Sequence, residues 1–150
     1  MYMTTQFNFE IRYFKMDDYD SLIELWESAG LPYKPNGRDS RENIESELKK
    51  GIAIFLVAET DNKIIGSVFG THDGRKGWIN RAAVHPQYRQ KGIAKKLVSE
   101  VEKKLDELGL DIVACLIEDW NDRSMKVFEK LGYIKHIDVI YFSKRKNIDT

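Results

Sequence analysis

Apolar positions along this chain change period several times, and each change marks an element. Phe9-Glu10-Ile11-Arg12-Tyr13-Phe14 alternates and predicts a first strand, after a short N-terminal arm with no assignment. From Asp17 the spacing becomes helical. Tyr19, Leu22, Ile23, Trp26 and Ala29 recur behind an acidic first turn, and Gly30 stands where such a helix would stop. Leu31 to Arg38 holds two of the three prolines and is expected as a loop. Asp39 and Glu42 have capping-box-like spacing ahead of Ile44, Leu48 and Ile52, so a second short helix is expected from about Ser40. Ile52 to Glu59 then reads as a strand, Asp61-Asn62 as a turn and Lys63 to Thr71 as its antiparallel partner. Asp73-Gly74 is a hairpin signal that leads into a strand from Trp78 to Val84.

Beyond Val84 comes a polar loop, His85-Pro86-Gln87-Tyr88-Arg89-Gln90-Lys91, which enters a helix through Gly92 and Ala94. Ile93, Leu97, Val98, Val101, Leu105 and Leu108 form one apolar stripe, and Gly109 closes it. Ile112 to Ile117 lacks alternation, which predicts a strand buried on both faces, as in a parallel pair. Strand, loop, helix and strand make a βαβ unit, so 78–84 and 111–117 are expected as parallel neighbours with a right-handed crossover. Asn121 or Asp122 caps a helix carrying Met125, Phe128 and Leu131, and Gly132 stops it. Tyr133 to Phe142 reads as one or two closing strands and Lys144 to Thr150 as a charged tail. The expectation is a single domain over residues 1–150 of the α+β (α/β) class. A mixed central β-sheet has an antiparallel N-terminal meander and a parallel strand pair, flanked by about four helices.

Composition narrows the function. The chain has 24 basic and 24 acidic residues, so no global charge pulls it toward nucleic acid or an anionic membrane. Cys115 is the only cysteine, which excludes an internal disulfide and a multi-cysteine zinc site and fits a reducing compartment. His72, His85 and His136 have no metal-ligand spacing, so no metal is expected. No apolar run nears the ~20 residues of a membrane span, and no signal pattern opens the chain, so a cytoplasmic location is expected.

The chemistry gathers after Val84. A helix N-terminus offers free backbone N–H groups and the positive end of its dipole, so the amides of Gln90 to Lys95 suit an anion, with Arg89 and Lys91 supplying charge. A plain strand-to-helix loop with both cations in solvent fits the spacing equally well. Neither G-x-x-x-x-G-K-[ST] nor G-x-G-x-x-G occurs.

Ala83-Val84-His85-Pro86 followed by Arg89-Gln90-Lys91-Gly92-Ile93-Ala94 resembles the [QR]-x-x-G-x-[GA] acetyl-CoA loop of the GNAT acetyltransferases. Asn121 with Phe128-Glu129-Lys130-Leu131-Gly132-Tyr133 is similar to that family's Asn…Tyr-Glu-Lys-Leu-Gly-Phe segment. Asp73 to Trp78 looks like the small stand-alone YpeA/RimI-like type. The resemblance implies an N-acetyltransferase that moves the acetyl group of acetyl-CoA directly to a primary amine of a small molecule, a polyamine or a peptide or protein N-terminus. It implies that Arg89, Gln90, Lys91, Gly92, Ile93, Ala94 and Lys95 hold the pyrophosphate. The pantetheine arm would bond like an extra strand to Ala82, Ala83 and Val84, and Asn121 would hold the cofactor from the other side. Homodimers are common among such relatives.

The chain departs from the family pattern at Phe128, where many relatives carry the tyrosine that protonates the departing thiolate. Tyr133 and Tyr141 are the candidate substitutes. No carboxylate lies within Trp78 to Val84, so Glu118 is the first candidate general base, followed by Asp119 and a water path. The alternative reading is a CoA-binding regulatory or interaction module that is weakly active or inactive. Cys115 reads as a packed core thiol, His85 as a loop-shaping residue, and Tyr33, Arg38 and Trp120 as lining for the acceptor. Arg89, Lys91, Lys95 and Lys96 without interleaved aromatics speak against a nucleic-acid patch.

Overall fold

A computed structural model describes residues 7–150. The unassigned arm ahead of Phe9 falls, over residues 1–6, outside the described residues. The elements are β1 (Glu10–Tyr13), α1 (Tyr19–Ala29), α2 (Arg41–Lys49), β2 (Ile54–Thr60), β3 (Lys63–His72), β4 (Gly77–Val84), α3 (Ile93–Glu107), β5 (Val113–Cys115) and α4 (Asp122–Lys130). One five-stranded sheet runs in the order β1-β2-β3-β4-β5. Its first four strands are antiparallel, and β4 and β5 are parallel. The meander and the βαβ unit are therefore as the apolar periods predict.

Alternation along β2 builds two cores. Leu56 and Ala58 face α3 together with Ile65, Val68, Leu97, Val101 and Leu105. Phe55 and Val57 face α1 and α2 with Leu22, Trp26, Ile44 and Phe69. The α3 stripe seats closely because glycines lie beneath it. A Cβ at Gly66 would come within 2.9 Å of Ile93, one at Gly70 within 2.7 Å of Val101, and one at Gly77 within 2.4 Å of Leu105. Larger residues there would push the helix off the sheet. Leu108, expected on this stripe, is 57% exposed, because the helix ends one residue before it.

Capping explains the start of α2, with a different cap from the one the spacing suggested. Ser40, not Asp39, accepts the Asn43 N–H at 3.2 Å. Asp39 is buried and takes the Lys34 N–H instead.

The closing strands expected over Tyr133 to Phe142 do not form; no residue after Lys130 is in a strand or helix. Apolar and β-branched residues give a segment the capacity to be a strand, but a ladder needs a partner edge, and no backbone bond joins β5 to this segment. For the same reason β5 is three half-buried residues rather than a strand from 112 to 117 buried on both faces. Ile112 and Leu116 at its ends are 50% and 58% exposed.

At the other edge, Arg12 on β1 ties the chain together. It donates to Asp18 at 2.7 and 2.9 Å and to Glu59 on β2 at 2.6 and 3.0 Å. The Arg12 hydrogen bonds hold the Asp18 carboxyl below the usual carboxylate range, against the opposing effect of burial. A depressed carboxyl stabilises the fold fully above its unfolded pKa of about 3.9, and that contribution is lost as pH falls toward the folded value. Urea denaturation of the parent chain should therefore lose stability below about pH 4. Asp18→Asn should be less stable at pH 7 and show a flatter acid limb.

Candidate active site

β4 serves two partners unequally. With β3 it pairs to its last residue, Val84 opposite Gly66, whereas with β5 it pairs only from Gly77 opposite Val113 to Ile79 opposite Cys115. The far half of β4, from Asn80 to Val84, thus has no neighbour on its β5 side. A wedge opens there between two parallel strands.

A bulge shapes the wedge. Phe69 faces Asn80 while Ser67 faces Ala83, so β4 spends one residue more than β3 over this interval. The bend falls at Arg81, whose φ of 52° lies in the left-handed region. Ser67 pins it, since its hydroxyl donates to the Arg81 carbonyl at 3.0 Å and accepts the Trp26 indole N–H at 3.1 Å. The Arg81 guanidinium donates to the Asp39 carboxylate and the Pro32 carbonyl, and its carbon lies 5.3 Å from the centre of the Trp26 ring. Burial lowers the Arg81 pKa and Asp39 opposes the shift. This pair joins the loop between α1 and α2 to the wall of the wedge, and breaking one partner would leave a buried charge uncompensated.

Beyond Val84 the backbone is steered to a helix start. The His85 N–H donates to the Ile65 carbonyl at 2.8 Å, and its Nδ1 accepts the Gln87 N–H at 3.2 Å across the turn Pro86–Tyr88. Burial, with Lys63 and Arg89 close, lowers the imidazole pKa and favours the neutral form that can accept this bond. His85 does shape the loop. Gln90 (φ 62°) and Gly92 (φ 79°) are both left-handed, and a Cβ at Gly92 would meet nothing within 4 Å. Glycine is thus favoured there by its backbone angle, and the space before the helix is open.

The start of α3 is left without a cap. Gly92 supplies no side-chain acceptor, no acidic residue stands in the first turn, and the first bond inside the helix runs from Lys96 N–H to the Gly92 carbonyl. The N–H groups of Ile93, Ala94 and Lys95 have no intrahelical partner. Arg89 is half-buried, and its pKa is lowered by burial and by the neighbouring cation of Arg123. A cation beside free amides is an arrangement that favours an anion.

Ala82, Ala83 and Val84 line the unzipped half of β4, and Arg89, Gln90, Lys91, Gly92, Ile93, Ala94 and Lys95 form the loop and helix start. Asn121 is the N-cap of α4, with its side-chain oxygen accepting the Ser124 N–H at 3.2 Å. Glu118 is exposed on the connection from β5, and its carbonyl accepts the Asn121 N–H at 3.0 Å.

Of the two candidate substitutes for the missing tyrosine, Tyr133 is already engaged. The Tyr133 hydroxyl donates to Glu102 at 2.9 Å, and burial, followed by this bond, raises its pKa. Glu102 lies nine residues along α3 from Ile93, about 13 Å down the helix. Tyr141 is 63% exposed on the closing segment. Phe128 is buried, edge-on to Tyr133 at 5.1 Å. Burial raises the Cys115 thiol to about 11, so it is protonated at neutral pH, as a core thiol should be.

Sequence reasoning missed Arg81, Asp39, Arg123 and Glu47. The first two are 42 residues apart, and the only local sign was a cation inside an apolar strand. Glu47 lies on the inward side of α2, between Ile44 and Leu48, where the helical period calls for an apolar residue. Burial raises its carboxyl pKa, while Lys50 and Arg81 pull it down.

A bulged strand whose unpaired half runs into an uncapped helix start, with a cation beside it, is suited to an extended anionic ligand. A model of the acetyltransferase (GNAT) family matches residues 19–133. The chain belongs to that family. Similar solved structures include an acetyltransferase from Trypanosoma brucei (22% identity, covering 91% of this chain and 100% of that one, TM-score 0.72). Another is the PaiA N-acetyltransferase of Thermoplasma acidophilum in complex with coenzyme A (22%, 83% and 88%, TM-score 0.74). A third is glucosamine-6-phosphate N-acetyltransferase from Arabidopsis thaliana (21%, 93% and 99%, TM-score 0.75). Among the described residues no helix is long and apolar enough to cross a membrane, and no group of three or more His, Cys, Asp or Glu gathers where it could hold a metal.

The cofactor of this family is acetyl-CoA, and the uncapped amides with Arg89 and Arg123 fit its phosphates. Arg89→Glu removes one of two mutually repelling cations, so thermal stability should be unchanged or higher. Calorimetric CoA affinity should meanwhile fall about tenfold or more, the worth of a charge-assisted contact.

Proposed function

We propose that the protein is an N-acetyltransferase that passes the acetyl group of acetyl-CoA to a primary amine. The observation that carries this reading is the wedge beside Ala82, Ala83 and Val84, which ends at the uncapped α3 start. An extended arm bonded along β4 would have its phosphates on the N–H groups of Ile93 to Lys95. Arg89, Lys91 and Arg123 add charge there, and Asn121 bounds the other side. The reactive end would then lie toward the bulge at Arg81.

Acetyl-CoA supplies an activated thioester. The amine nitrogen attacks its carbonyl carbon, so that an N–C bond forms, the C–S bond breaks and the sulfur leaves as thiolate. Phe128 cannot donate a proton. None is required, because an ordinary thiol has a pKa of about 8.5 and water can protonate the departing sulfur. Glu118, beside Asn121 on the α4 side, is proposed to take the proton that the amine loses. Glu47 on α2 is a second carboxylate near Arg81, with a raised pKa suited to the same work. The acceptor side is bounded by the loop that Arg81 and Asp39 fasten, where Tyr33 donates to Glu27 and packs against Trp26. Its chemistry suits small molecules, polyamines or peptide N-termini.

A panel of those amines should give amine-dependent release of free thiol from acetyl-CoA. Glu118→Gln should lower kcat by about 100-fold with the CoA affinity unchanged. A loss seen only in Glu47→Gln would move the base to α2. Tight CoA binding with no thiol release from any amine would replace this reading with the binding-module one.

A further inference from the structure

Gly37 is the one glycine whose identity neither its backbone angle nor the seating of α3 explains. Six others have left-handed angles, and Gly66, Gly70 and Gly77 lie beneath α3. The reason for Gly37 is the closing segment of the chain. A Cβ there would collide with the Asp149 carbonyl group, whereas the nearest atom of any other residue, the Lys34 Cβ, would stand at an ordinary 3.6 Å.

The same segment is gripped again one residue earlier. The Lys34 ammonium donates to the Ile148 carbonyl at 3.1 Å, across 114 residues of chain. The start of the segment is fixed at Tyr133, which is bonded to Glu102 and packed on Phe128. Between these ends no backbone hydrogen bond joins residues 134–146 to another part of the described chain. The segment is therefore a strap that runs from the end of α4 to the loop before α2.

What the strap meets is a built turn. The Lys34 carbonyl accepts the N–H groups of Gly37 at 3.1 Å and Asp39 at 3.0 Å, and the Asp39 carboxylate accepts the Lys34 N–H at 2.7 Å. The Gly37 carbonyl accepts the Ser40 N–H at 3.0 Å and the Asn43 side-chain amide at 2.5 Å. Asp39 in turn holds the Arg81 guanidinium, and Tyr33, next to Lys34, packs on Trp26. Strap, turn, Asp39 and the β4 bulge form one continuous line of contacts.

We propose that Lys34 and Gly37 are positioning residues for the acceptor, because they seat residues 148–149 as a brace on the turn that bounds the acceptor side. This rests on the acetyl-transfer reading. A surface turn keeps freedom that a bound amine has to remove, and a brace from outside removes part of it in advance. The benefit falls on amine binding. The amides of Ile93 to Lys95 and the free half of β4 do not touch the strap, so the hold on CoA is independent of it.

Gly37→Ala and Lys34→Met release the strap through different contacts. Each should raise the amine KM about tenfold, with kcat within about twofold and calorimetric CoA affinity unchanged. Since both break one brace, the double variant should be no worse than either alone. Lys34→Arg keeps a donor and should behave as the parent. Trypsin reads the strap without acetyl transfer. Cleavage after Lys144, Arg145 and Lys146, all exposed, should be several-fold faster in Gly37→Ala and Lys34→Met. Faster cleavage with an unchanged amine KM would overturn the inference and leave acetyl transfer standing. A lowered KM would overturn it too, because the strap would then be a barrier to the amine. Unchanged cleavage in both variants would show that the strap is not seated on the turn. A parent that releases no thiol with any amine would instead sink the acetyl-transfer reading, and this inference with it.

Discussion

β4 has to satisfy two neighbours of different length and direction, and the site follows from that constraint. Its antiparallel ladder with β3 runs to Val84, while its parallel ladder with β5 ends at Ile79. The extra residue at Arg81 turns the free half outward, and the Ser67 hydroxyl holds the turn by bonding the Arg81 carbonyl. A strand half with unused backbone groups is costly to bury and easy to pair, so the wedge is a ready place for an extended ligand arm. The same bulge sends the Arg81 side chain to Asp39 and Trp26, which fastens the loop after α1 to the wall of the wedge. The bulge and the loop after α1 are thus joined through one residue's backbone and side chain.

Seating of α3 supplies the second half of the geometry. Gly66, Gly70 and Gly77 let Ile93, Val101 and Leu105 rest almost on the backbone of β3 and β4. Close packing fixes where the helix begins relative to the end of β4. The helix start lies at the mouth of the wedge, with its amides uncapped and Arg89 and Arg123 beside it. α2 makes the contrast, because there Ser40 closes the helix start with its own hydroxyl.

Much of this was legible in the chain, and the boundary of legibility is physical. Period changes located the meander, the α3 stripe and α4, because those signals are local to each element. The loop from Arg89 to Lys95 was legible because a helix start is built from neighbours in sequence. Asp39 was misread as part of a cap, since its real partner, Arg81, is 42 residues away. The half-buried position of Glu47 was missed for the same reason. The closing segment failed differently. Its β-branched and aromatic residues suit a strand, yet a ladder depends on an available edge, and no local pattern records which edge that is.

The central claim is that the wedge along β4 and the open α3 start together hold coenzyme A. Amide hydrogen exchange of the full chain with and without saturating CoA tests it most directly. The account predicts slowed exchange at the amides of Ala82 to Val84 and Ile93 to Lys95. Calorimetrically verified CoA binding that left both stretches unchanged, with protection elsewhere, would contradict it.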